Sequence, residues 1–404
     1  MPDHGIFALR HAAPACLFLF IPVLCTAAEG APTEQELASG IVPQIENGKR
    51  IYFVAQFSRF SPQTAADVVA QIPGFTVTSI SNDRGLGEAS QNVLINGQRI
   101  TGKGNDANTV LRRIPANTIR RMEIMDGAML SISGLSGHVL NLVTEQQGLQ
   151  GNYTWRPRIR ERVPAHWYPG DVSVSGTSAL GDFSLGLRWD GFRGGGWGEE
   201  LETRPATGIS FIRYYPGPRF ANDIPKVSGA VTRRTDGGSI WNFNGSVERS
   251  HFRRRVSTFY QVPGMASTSE SNRGEERRWR TEVGTDYEFG LGEGRLKLIG
   301  FFTQRPATIF NEQTTLTDGA TIPSGSRFSR DSTEGERVLR AEYRWKALGG
   351  DWTLSGEAAY NFVDATGSLD VLDAAGVPQP VALPGASSRV EEKRGQSILS
   401  FSRP

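Results

Sequence analysis

Few residues of this chain stand at spacings that could support catalysis or nucleotide binding. Gly97 is followed five residues later by Gly102-Lys103, a spacing shared with loops that cradle phosphates. In those loops a Ser or Thr follows the lysine and ligates Mg²⁺, whereas Gly104 stands here. The glycines of 85–90 depart from the dinucleotide-binding pattern at Ser90. The sequence therefore predicts no nucleotide site.

Residues that could ligate a metal or act as nucleophiles are equally sparse. The only cysteines are Cys16 and Cys25, both close to the N-terminus. His138, His166 and His251 are far apart, and none has another histidine at a metal-ligand spacing. No combination of Ser, His and an acid can be singled out as a catalytic triad. We therefore predict neither an enzyme nor a bound metal or cofactor.

The N-terminus has the pattern of an export signal. Arg10 and His11 precede an apolar run over 12–24, and small residues follow at 26–28. This pattern predicts a secretory signal peptide over 1–28, because the apolar run is too short to span a bilayer. A lipoprotein is the alternative at Cys25, but no small residue precedes that cysteine directly. The mature chain is expected in the periplasm, outside the cell or in the outer membrane.

The composition suits a chain with one face in lipid and the other in water. It contains 47 Gly, 21 Phe and 8 Trp, and its formal net charge is only +2. Transmembrane β-barrels need not be apolar overall, and the near-neutral charge gives no case for nucleic acid. Local arginine clusters occur at 253–255 and 277–278. They are interpreted as solvated strand ends or loops, or alternatively as contacts to lipopolysaccharide phosphates or an anionic substrate.

The segment that carries most information is 50–148, which reads as a small α+β domain. Ser61-Pro62 predicts a helix start, with one buried face formed by Ala65, Val68, Val69 and Ile72. Pro73-Gly74 ends that helix. A short strand over 75–78 and a loop over 81–90 should follow.

The most specific local signal in this domain is Asn96-Gly97, flanked by Val93-Leu94-Ile95 and Gln98-Arg99-Ile100. Both turn residues tolerate positive φ, which predicts a β-hairpin. A helical turn over 109–114 and strands over 120–124 and 139–144 complete the domain. The prediction is two helices on a small mixed sheet.

The order of these motifs resembles the plug domain of TonB-dependent outer-membrane receptors. The similarity rests on Ile72-Pro73-Gly74, Val93–Gly97, Ile119–Gly127 and Gly137–Thr144. Asp126-Gly127-Ala128 and His138 depart from the usual pattern and suggest a divergent subgroup. The motif residues that the resemblance implies are Pro73, Gly74, Asn96, Gly97, Glu123, Gly127, Gly134, Gly137 and Asn141.

Beyond residue 150, several segments alternate strictly between apolar and hydrophilic residues. They lie at 183–190, 241–248, 279–289 and 351–362. A soluble β-sandwich would also alternate, but segments near ten residues with aromatics at both ends, such as Trp352 and Phe362, favour transmembrane strands. Gly349-Gly350 predicts a tight turn. A long outer loop is expected over 191–224.

The predicted fold is thus an α+β plug domain followed by antiparallel transmembrane β-barrel strands. The expected domains are 1–28 (signal peptide), 29–49 (N-terminal periplasmic segment), 50–148 (plug) and 149–404 (partial barrel). The last segment has room for about ten strands at roughly 25 residues each. A plugged transporter barrel has about 22 strands. The barrel is therefore expected to be incomplete, and the chain to be the N-terminal portion of a receptor.

The resemblance implies active uptake of a scarce ligand such as a siderophore, a cobalamin-like compound or a carbohydrate. The plug would gate the barrel, and TonB would pair with an N-terminal box, for which 40–43 is a candidate. Outer-membrane lipid and lipopolysaccharide are expected partners. Alternatives are a passive porin or adhesin-type barrel and a truncated, non-functional fragment. The ligand-contact candidates are Arg84, Trp197, Tyr214 and Tyr215.

Overall fold

The computed structural model describes residues 33–78, 92–99, 107–127, 130, 137–145, 148–204, 209–215 and 219–403. The predicted signal peptide, the loop at 81–90 with Arg84, Gly102-Lys103 and Gly134 lie outside the described residues.

The first structural unit alternates short helices with short strands. In chain order these are α1 (Glu34–Ser39), β1 (Gln44–Glu46), β2 (Lys49–Tyr52), a 3₁₀ helix (Val54–Phe60), α2 (Ala65–Val69), β3 (Val93–Ile95), β4 (Gln98–Arg99), α3 (Ala107–Leu111), a 3₁₀ turn (Ala116–Thr118), β5 (Ile119–Asp126) and β6 (His138–Thr144).

The strands of this unit form one six-stranded mixed sheet in the order β1-β2-β5-β6-β3-β4. β3 runs parallel to β6, and the other pairs are antiparallel. A single apolar core joins the sheet to the helices and includes Ile41, Tyr52, Phe57, Val68 and Met122. The boundary predicted at residue 50 therefore falls inside β2, and residues from Glu34 onward belong to the same unit.

The helix start predicted at Ser61-Pro62 was wrong. α2 begins at Ala65, and its N-cap is Thr64, whose hydroxyl accepts from the Asp67 amide while the Asp67 carboxylate accepts from the Thr64 amide. Ser61 instead ends the preceding 3₁₀ helix with φ of 47°. The reciprocal capping box outcompetes the Ser-Pro signal because it satisfies two otherwise unpaired amides.

The apolar face of α2 and the hairpin turn were predicted correctly. Ala65, Val68, Val69 and Ile72 are all buried. Asn96 and Gly97 have φ of 50° and 75° and join β3 to β4. Residues 75–78 form no strand, contrary to prediction.

The second unit is a large antiparallel sheet. Its elements are β7 (Gln150–Trp155), β8 (Arg158–Arg160), β9 (Val163–His166), β10 (Gly170–Ser178), β11 (Gly181–Gly194), β12 (Gly198–Arg204), β13 (Ile209–Tyr215), β14 (Arg219–Arg234), β15 (Ile240–Gln261), β16 (Thr268–Leu291), β17 (Gly294–Thr317), β18 (Ser324–Ala347), β19 (Gly350–Leu372), β20 (Pro378–Val381) and β21 (Ser387–Ser402).

The principal path of this sheet runs from β7 through β10, β11, β14 and β15, and then in chain order to β19, which pairs with both β20 and β21. β12 and β13 form a hairpin that joins β15, whereas β8 and β9 form a separate two-stranded sheet. Among the described residues the large sheet does not close on itself. This agrees with the predicted class of an antiparallel, incomplete barrel.

The burial pattern of the large sheet is the reverse of that in a soluble sandwich. Its outer face exposes apolar side chains such as Phe243, Val247, Leu339 and Leu354. The opposite, inner face buries polar ones, including Asn242, Asn244, Glu282, Asp286 and Ser355. A sandwich buries its apolar faces against each other, so this arrangement favours a sheet whose apolar face meets lipid.

Two sequence predictions about this sheet were wrong. Strands β15 to β19 contain 22 to 24 residues rather than about ten. The predicted loop over 191–224 is mostly strand, because β11 continues to Gly194, β12 and β13 form a hairpin, and β14 begins at Arg219. Both errors have the same cause. Backbone hydrogen bonding to the neighbouring strand continues beyond the membrane-facing part of each strand, into residues whose side chains are polar on both faces. The tight turn is confirmed, with Leu348 and Gly349 between β18 and β19.

Aromatic side chains bracket a mainly apolar band on the outer face, and Arg337 lies at one edge of this band, opposite Tyr360. On β19 the band begins at Trp352, which stacks on Trp345 with ring centroids 6.0 Å apart, and it ends at Tyr360 and Phe362. The ten residue-to-residue steps from Trp352 to Phe362 span about 34 Å along the strand, or about 26 Å of height at a tilt near 40°. That height matches the apolar band of an outer-membrane barrel, which is about 25 Å. None of the described helices is long and apolar enough to cross a membrane.

Candidate functional site

The first unit is bound to the inner face of the sheet through α3 and the residues that follow it. Arg113 donates from Nη2 to Ser228 Oγ on β14 at 2.6 Å. Asn152 on β7 donates from Nδ2 to the carbonyl oxygen of Arg112 at 2.9 Å. Gly186 on β11 leaves the space that the Arg113 guanidinium occupies, since a Cβ there would lie 3.0 Å from it. The small domain thus lies against the polar side of the sheet.

The guanidinium of Arg113 is largely removed from water. Burial lowers its pKa, whereas the nearby carboxylate of Asp171 acts in the opposite direction. Arginine remains protonated in proteins, so the contact places a permanent charge between the two units. A buried guanidinium without a hydrogen-bond partner would cost free energy. The plug is therefore favoured in the one position where Arg113 reaches its acceptor.

Three motif residues of the small domain that are distant in sequence belong to one hydrogen-bonded network. The Gly97 amide donates to Asn141 Oδ1 at 2.8 Å, and Asn141 Nδ2 donates to Glu123 Oε2 at 3.1 Å. Glu123 also accepts from Arg121 Nε at 2.6 Å and lies 3.6 Å from Lys49 Nζ. The network links the β3–β4 turn to β6, β5 and β2.

Glu123 is the buried centre of this network. Burial raises the pKa of its carboxyl, but the hydrogen bonds from Arg121 and Asn141 and the charge of Lys49 outweigh burial and hold the pKa below its usual value. The carboxylate is therefore ionised at neutral pH and satisfied by its partners. Its arrangement is structural, because each partner belongs to the small domain.

The other motif residues fix turns and loop ends. Asn96 Oδ1 accepts from the Thr144 amide at 2.9 Å, which clamps the hairpin to the end of β6. The Gly127 amide donates to the Gly137 carbonyl at 2.7 Å, and Gly137 has φ of 68°. Gly74 also has positive φ, of 70°, directly after Pro73.

The N-terminal segment is attached to the same domain by a second buried carboxylate. Glu36 on α1 accepts hydrogen bonds from the Tyr52 hydroxyl and from Arg50 Nη1, the latter at 3.0 Å. Burial raises the pKa of the Glu36 carboxyl, but these bonds and those from Thr33 bring it below its usual value. Ile41 is buried in the core, and Gln56 bonds to the Val42 carbonyl at 2.7 Å. The candidate TonB box at 40–43 is therefore held against the domain.

Three of the ligand-contact candidates lie together at one end of the β12–β13 hairpin. Trp197 precedes Gly198, which pairs with Tyr215, and Tyr214 pairs with Glu199. Trp197 and Tyr214 are exposed. Tyr214 also pairs with Phe259 and therefore shares the outer face with it. Arg84, the fourth candidate, lies outside the described residues.

Sequence analysis missed the polar residues that the hairpin places on the inner face. Arg213 pairs with Tyr260, and its guanidinium lies 5.3 Å from the ring centre. Arg213 also bonds Glu202 at 2.8 Å, and the Tyr260 hydroxyl donates to Glu270 at 3.0 Å. The alternation of side chains along β13 would have placed Arg213 on the inner face, but only if residues 191–224 had been recognised as strands. Among the described residues, no group of three or more His, Asp or Glu could hold a metal ion.

The geometry defines a class: a small mixed α+β domain docked on the polar face of a sheet whose other face is apolar. Residues 51–137 match the family model described as "TonB-dependent Receptor Plug Domain". This segment is a TonB-dependent receptor plug domain, which confirms the family suggested by the order of the motifs. No curated protein matches the chain by sequence.

Three solved outer-membrane receptors match this chain at low sequence identity and with TM-scores below 0.5. The ferric yersiniabactin uptake receptor FyuA from Yersinia pestis is 11% identical with a TM-score of 0.35, covering 87% of this chain and 61% of FyuA. The ferric citrate transporter FecA is 14% identical with a TM-score of 0.31, covering 89% and 63%. BauA, the ferric preacinetobactin receptor from Acinetobacter baumannii, is 11% identical with a TM-score of 0.28, covering 87% and 60%. The chain therefore spans less than two thirds of these receptors.

Proposed function

We propose that this chain acts in the outer membrane as a TonB-dependent receptor that takes up a scarce ligand, with the plug gating the path. The observation that carries the proposal is the plug held to the inner face of the sheet by Arg113 and Asn152. A passive porin or an adhesin does not require a folded domain bound to the inner face of its barrel. The plug family comprises transporters and receptors rather than enzymes.

Burial and charge support the membrane location. The outer face exposes a mainly apolar band between two aromatic rows, whereas the inner face carries paired charges. On the inner face, Asp286 accepts from Asn242 at 2.9 Å and lies 3.2 Å from Lys297. Arg340 Nε lies 2.7 Å from Glu342. A polar inner surface of this kind suits a path for a hydrophilic ligand.

The proposed ligand is a siderophore, a cobalamin-like compound or a carbohydrate. Arg84, Trp197, Tyr214 and Tyr215 stay proposed contacts, and the inner-face position of Arg213 and Tyr260 adds two more. An arginine beside an aromatic ring suits anionic or planar ligands. The guanidinium group can form two parallel hydrogen bonds to one carboxylate, and it can also stack on an aromatic ring. TonB is the proposed energy-coupling partner, and its contact on this chain is unassigned.

Uptake in cells tests the proposal. The chain is expressed in a Gram-negative strain lacking its own receptors, and labelled ferric siderophores, cobalamin and oligosaccharides serve as probes. We expect uptake of one probe class above an empty vector, abolished by a protonophore and by loss of TonB. Uptake that persists with the protonophore would show a passive barrel. No uptake of any probe would contradict transport by this chain.

A further inference from the structure

A cavity lies between the plug and the inner face of the sheet, and residues of both units line it. Its volume is about 470 Å³, within the range of about 300–1,000 Å³ that is usual for small-molecule sites. Asp182 and Arg234 line one end and adjoin tight turns of the sheet. The β12–β13 hairpin pairs with residues 259–261, at the other end of β15. This cavity, here called the interface cleft, is therefore remote from Trp197 and Tyr214.

Arg113 lies at the inner end of the interface cleft. Cross-strand register places its neighbours Gly186 and Ser228 four residues further along β11 and β14 than Asp182 and Thr232. Its guanidinium donates to the Ser228 hydroxyl at 2.6 Å. Among the described residues this is its only hydrogen bond, and it forms no ion pair with a carboxylate there. A guanidinium has five N–H donors, so most of them stay available for an anion.

The carboxylates closest to Arg113 already bind other bases. Asp171, whose charge acts on Arg113, accepts from Arg156 at 2.8 Å. Asp190 accepts from Arg188 at 2.8 Å. The next charges on the inner face are also matched: Lys226 lies opposite Glu248, and Arg280 lies 3.9 Å from Glu282. The contact between plug and sheet therefore carries one positive charge in excess, on Arg113.

The other charged groups that line the interface cleft are matched as well. Asp182 lies 3.4 Å from Arg234, and Glu145 pairs with Arg120. An anion that enters the cleft therefore meets a single unmatched partner, which is Arg113.

The walls of the interface cleft combine neutral polar groups with apolar surface. Hydroxyl and amide side chains line it on the sheet, namely Ser175, Thr177, Ser184, Thr232, Asn242 and Asn244. The plug contributes apolar side chains, including Ile114 and Pro115. A sugar ring has the same two properties, because its hydroxyl groups form hydrogen bonds and its C–H faces pack on apolar side chains.

We infer that the interface cleft binds a hydroxylated carboxylate with the chemistry of a sugar acid, whose carboxylate pairs with Arg113. A guanidinium binds a carboxylate through two parallel hydrogen bonds, which the Ser228 hydroxyl cannot offer. The hydroxyl groups of the ligand then face the polar wall of the sheet. The inference rests on the proposed function, since it names a ligand class and gives the ligand path a second contact on the tight-turn side of the plug.

Calorimetric titration of the full chain in nonionic detergent tests the ligand class with three probes. Galacturonate carries both the ring and the carboxylate, galactose carries the ring alone, and acetate carries the carboxylate alone. We expect galacturonate to bind at least about ten-fold more tightly than either, because a charge-assisted hydrogen-bonded pair is lost with galactose and the wall contacts are lost with acetate. Equal binding of galactose would show a neutral sugar site, and equal binding of acetate a simple anion site. Either result would overturn the inference.

Two variants separate the charge of Arg113 from its attachment of the plug. R113Q and S228A both remove the hydrogen bond between plug and sheet, but only R113Q removes the positive charge. We expect R113Q to bind galacturonate roughly 10- to 100-fold more weakly, whereas S228A should bind at least as tightly as the wild-type chain. R112Q is the matched control, since the Arg112 side chain is exposed and only its carbonyl bonds Asn152. It should bind like the wild-type chain.

Equal weakening in R113Q and S228A would mean that loosening of the plug, and not the charge, lowers binding, and this would contradict the site. Absence of galacturonate binding to the wild-type chain would contradict it as well. The comparison of the three probes needs no variant and stays decisive if R113Q fails to fold. Galacturonate binding without uptake of any probe by cells would contradict the proposed function alone. Uptake without binding that depends on Arg113 would contradict only this inference.

Discussion

At the scale of single residues, the plug is held together by charges that its own fold neutralises. Glu123 and Glu36 are buried carboxylates with several donors each, and they join segments far apart in sequence. The resemblance identified Glu123, Asn141 and Gly97 as motif residues. It could not show that they touch, because the contact between Gly97 and Asn141 spans 44 positions. Only the β3–β6 register brings them together.

Glu123→Ala should destabilise the plug by about 1–3 kcal/mol, because Asn141 and Arg121 lose a charged hydrogen-bond partner. Hydrogen exchange of the β5 and β6 amides in the full chain measures this loss. Glu46→Ala is the matched control, since Glu46 is exposed on β1. Equal exchange in both variants would show that the network contributes nothing to plug stability.

The same carboxylate should make plug stability depend on pH. The folded-state pKa of Glu123 is lowered, so its contribution is fully present above the unfolded pKa of about 4.3 and is lost as pH falls through the lower, folded value. Glu123→Gln removes this contribution. We therefore expect the wild-type plug to lose more protection than the variant between neutral pH and about pH 3. Identical pH profiles would contradict this assignment.

Arg113→Ala should loosen the plug on the sheet, because the hydrogen bond to Ser228 is lost and a space opens beside Gly186. The expected cost is about 1–3 kcal/mol of attachment. Sensitivity of cells to a large antibiotic that cannot cross an intact outer membrane reports an unblocked path. Arg112→Ala is the control, since only its backbone carbonyl binds Asn152. The same sensitivity in both variants would mean that Arg113 does not anchor the plug.

At the scale of elements, local signals in the sequence predicted the plug well where one turn or one face decides the structure. Asn96-Gly97 formed its hairpin, and the apolar face of α2 is buried as predicted. α1 and β1 were missed because Glu36 and Ile41 are buried by β2 and the core, through contacts that no local pattern shows. In the large sheet, alternation identified the faces. It could not fix the strand lengths, because pairing beyond the membrane band depends on the neighbouring strand.

Leu339→Arg tests whether the outer face meets lipid. Leu339 is 71% exposed near the middle of the apolar band, and Leu348, in the turn between β18 and β19, is 85% exposed. In lipid, arginine at mid-depth should cost about 2–4 kcal/mol, whereas Leu348→Arg at the edge should cost about 0–1 kcal/mol. Guanidinium unfolding in phospholipid vesicles gives both values. A water-facing sheet would tolerate the two substitutions equally.

At the scale of the whole molecule, the two faces of the sheet have separate tasks. The inner face binds the plug and carries paired charges, whereas the outer face carries the apolar band. Strand alternation makes the separation possible, since neighbouring residues of one strand serve opposite surroundings. A change on one face can therefore be made without altering the chemistry of the other.

If the plug gates uptake, fixing it to the sheet should stop transport. Asn152 reaches the Arg112 carbonyl at 2.9 Å, so cysteines at both positions lie within reach of a short bis-methanethiosulfonate reagent, which forms a reducible disulfide with each thiol and releases sulfinate. The two native cysteines, Cys16 and Cys25, lie in the predicted signal peptide, and reagent-treated wild-type chain controls for them. We expect cross-linked R112C/N152C to lose most uptake of the active probe and to regain it on reduction, while treated single-cysteine variants keep it. Unchanged uptake by fully cross-linked chains would mean that the ligand passes without plug displacement at this contact, and gating would have to involve only the rest of the domain.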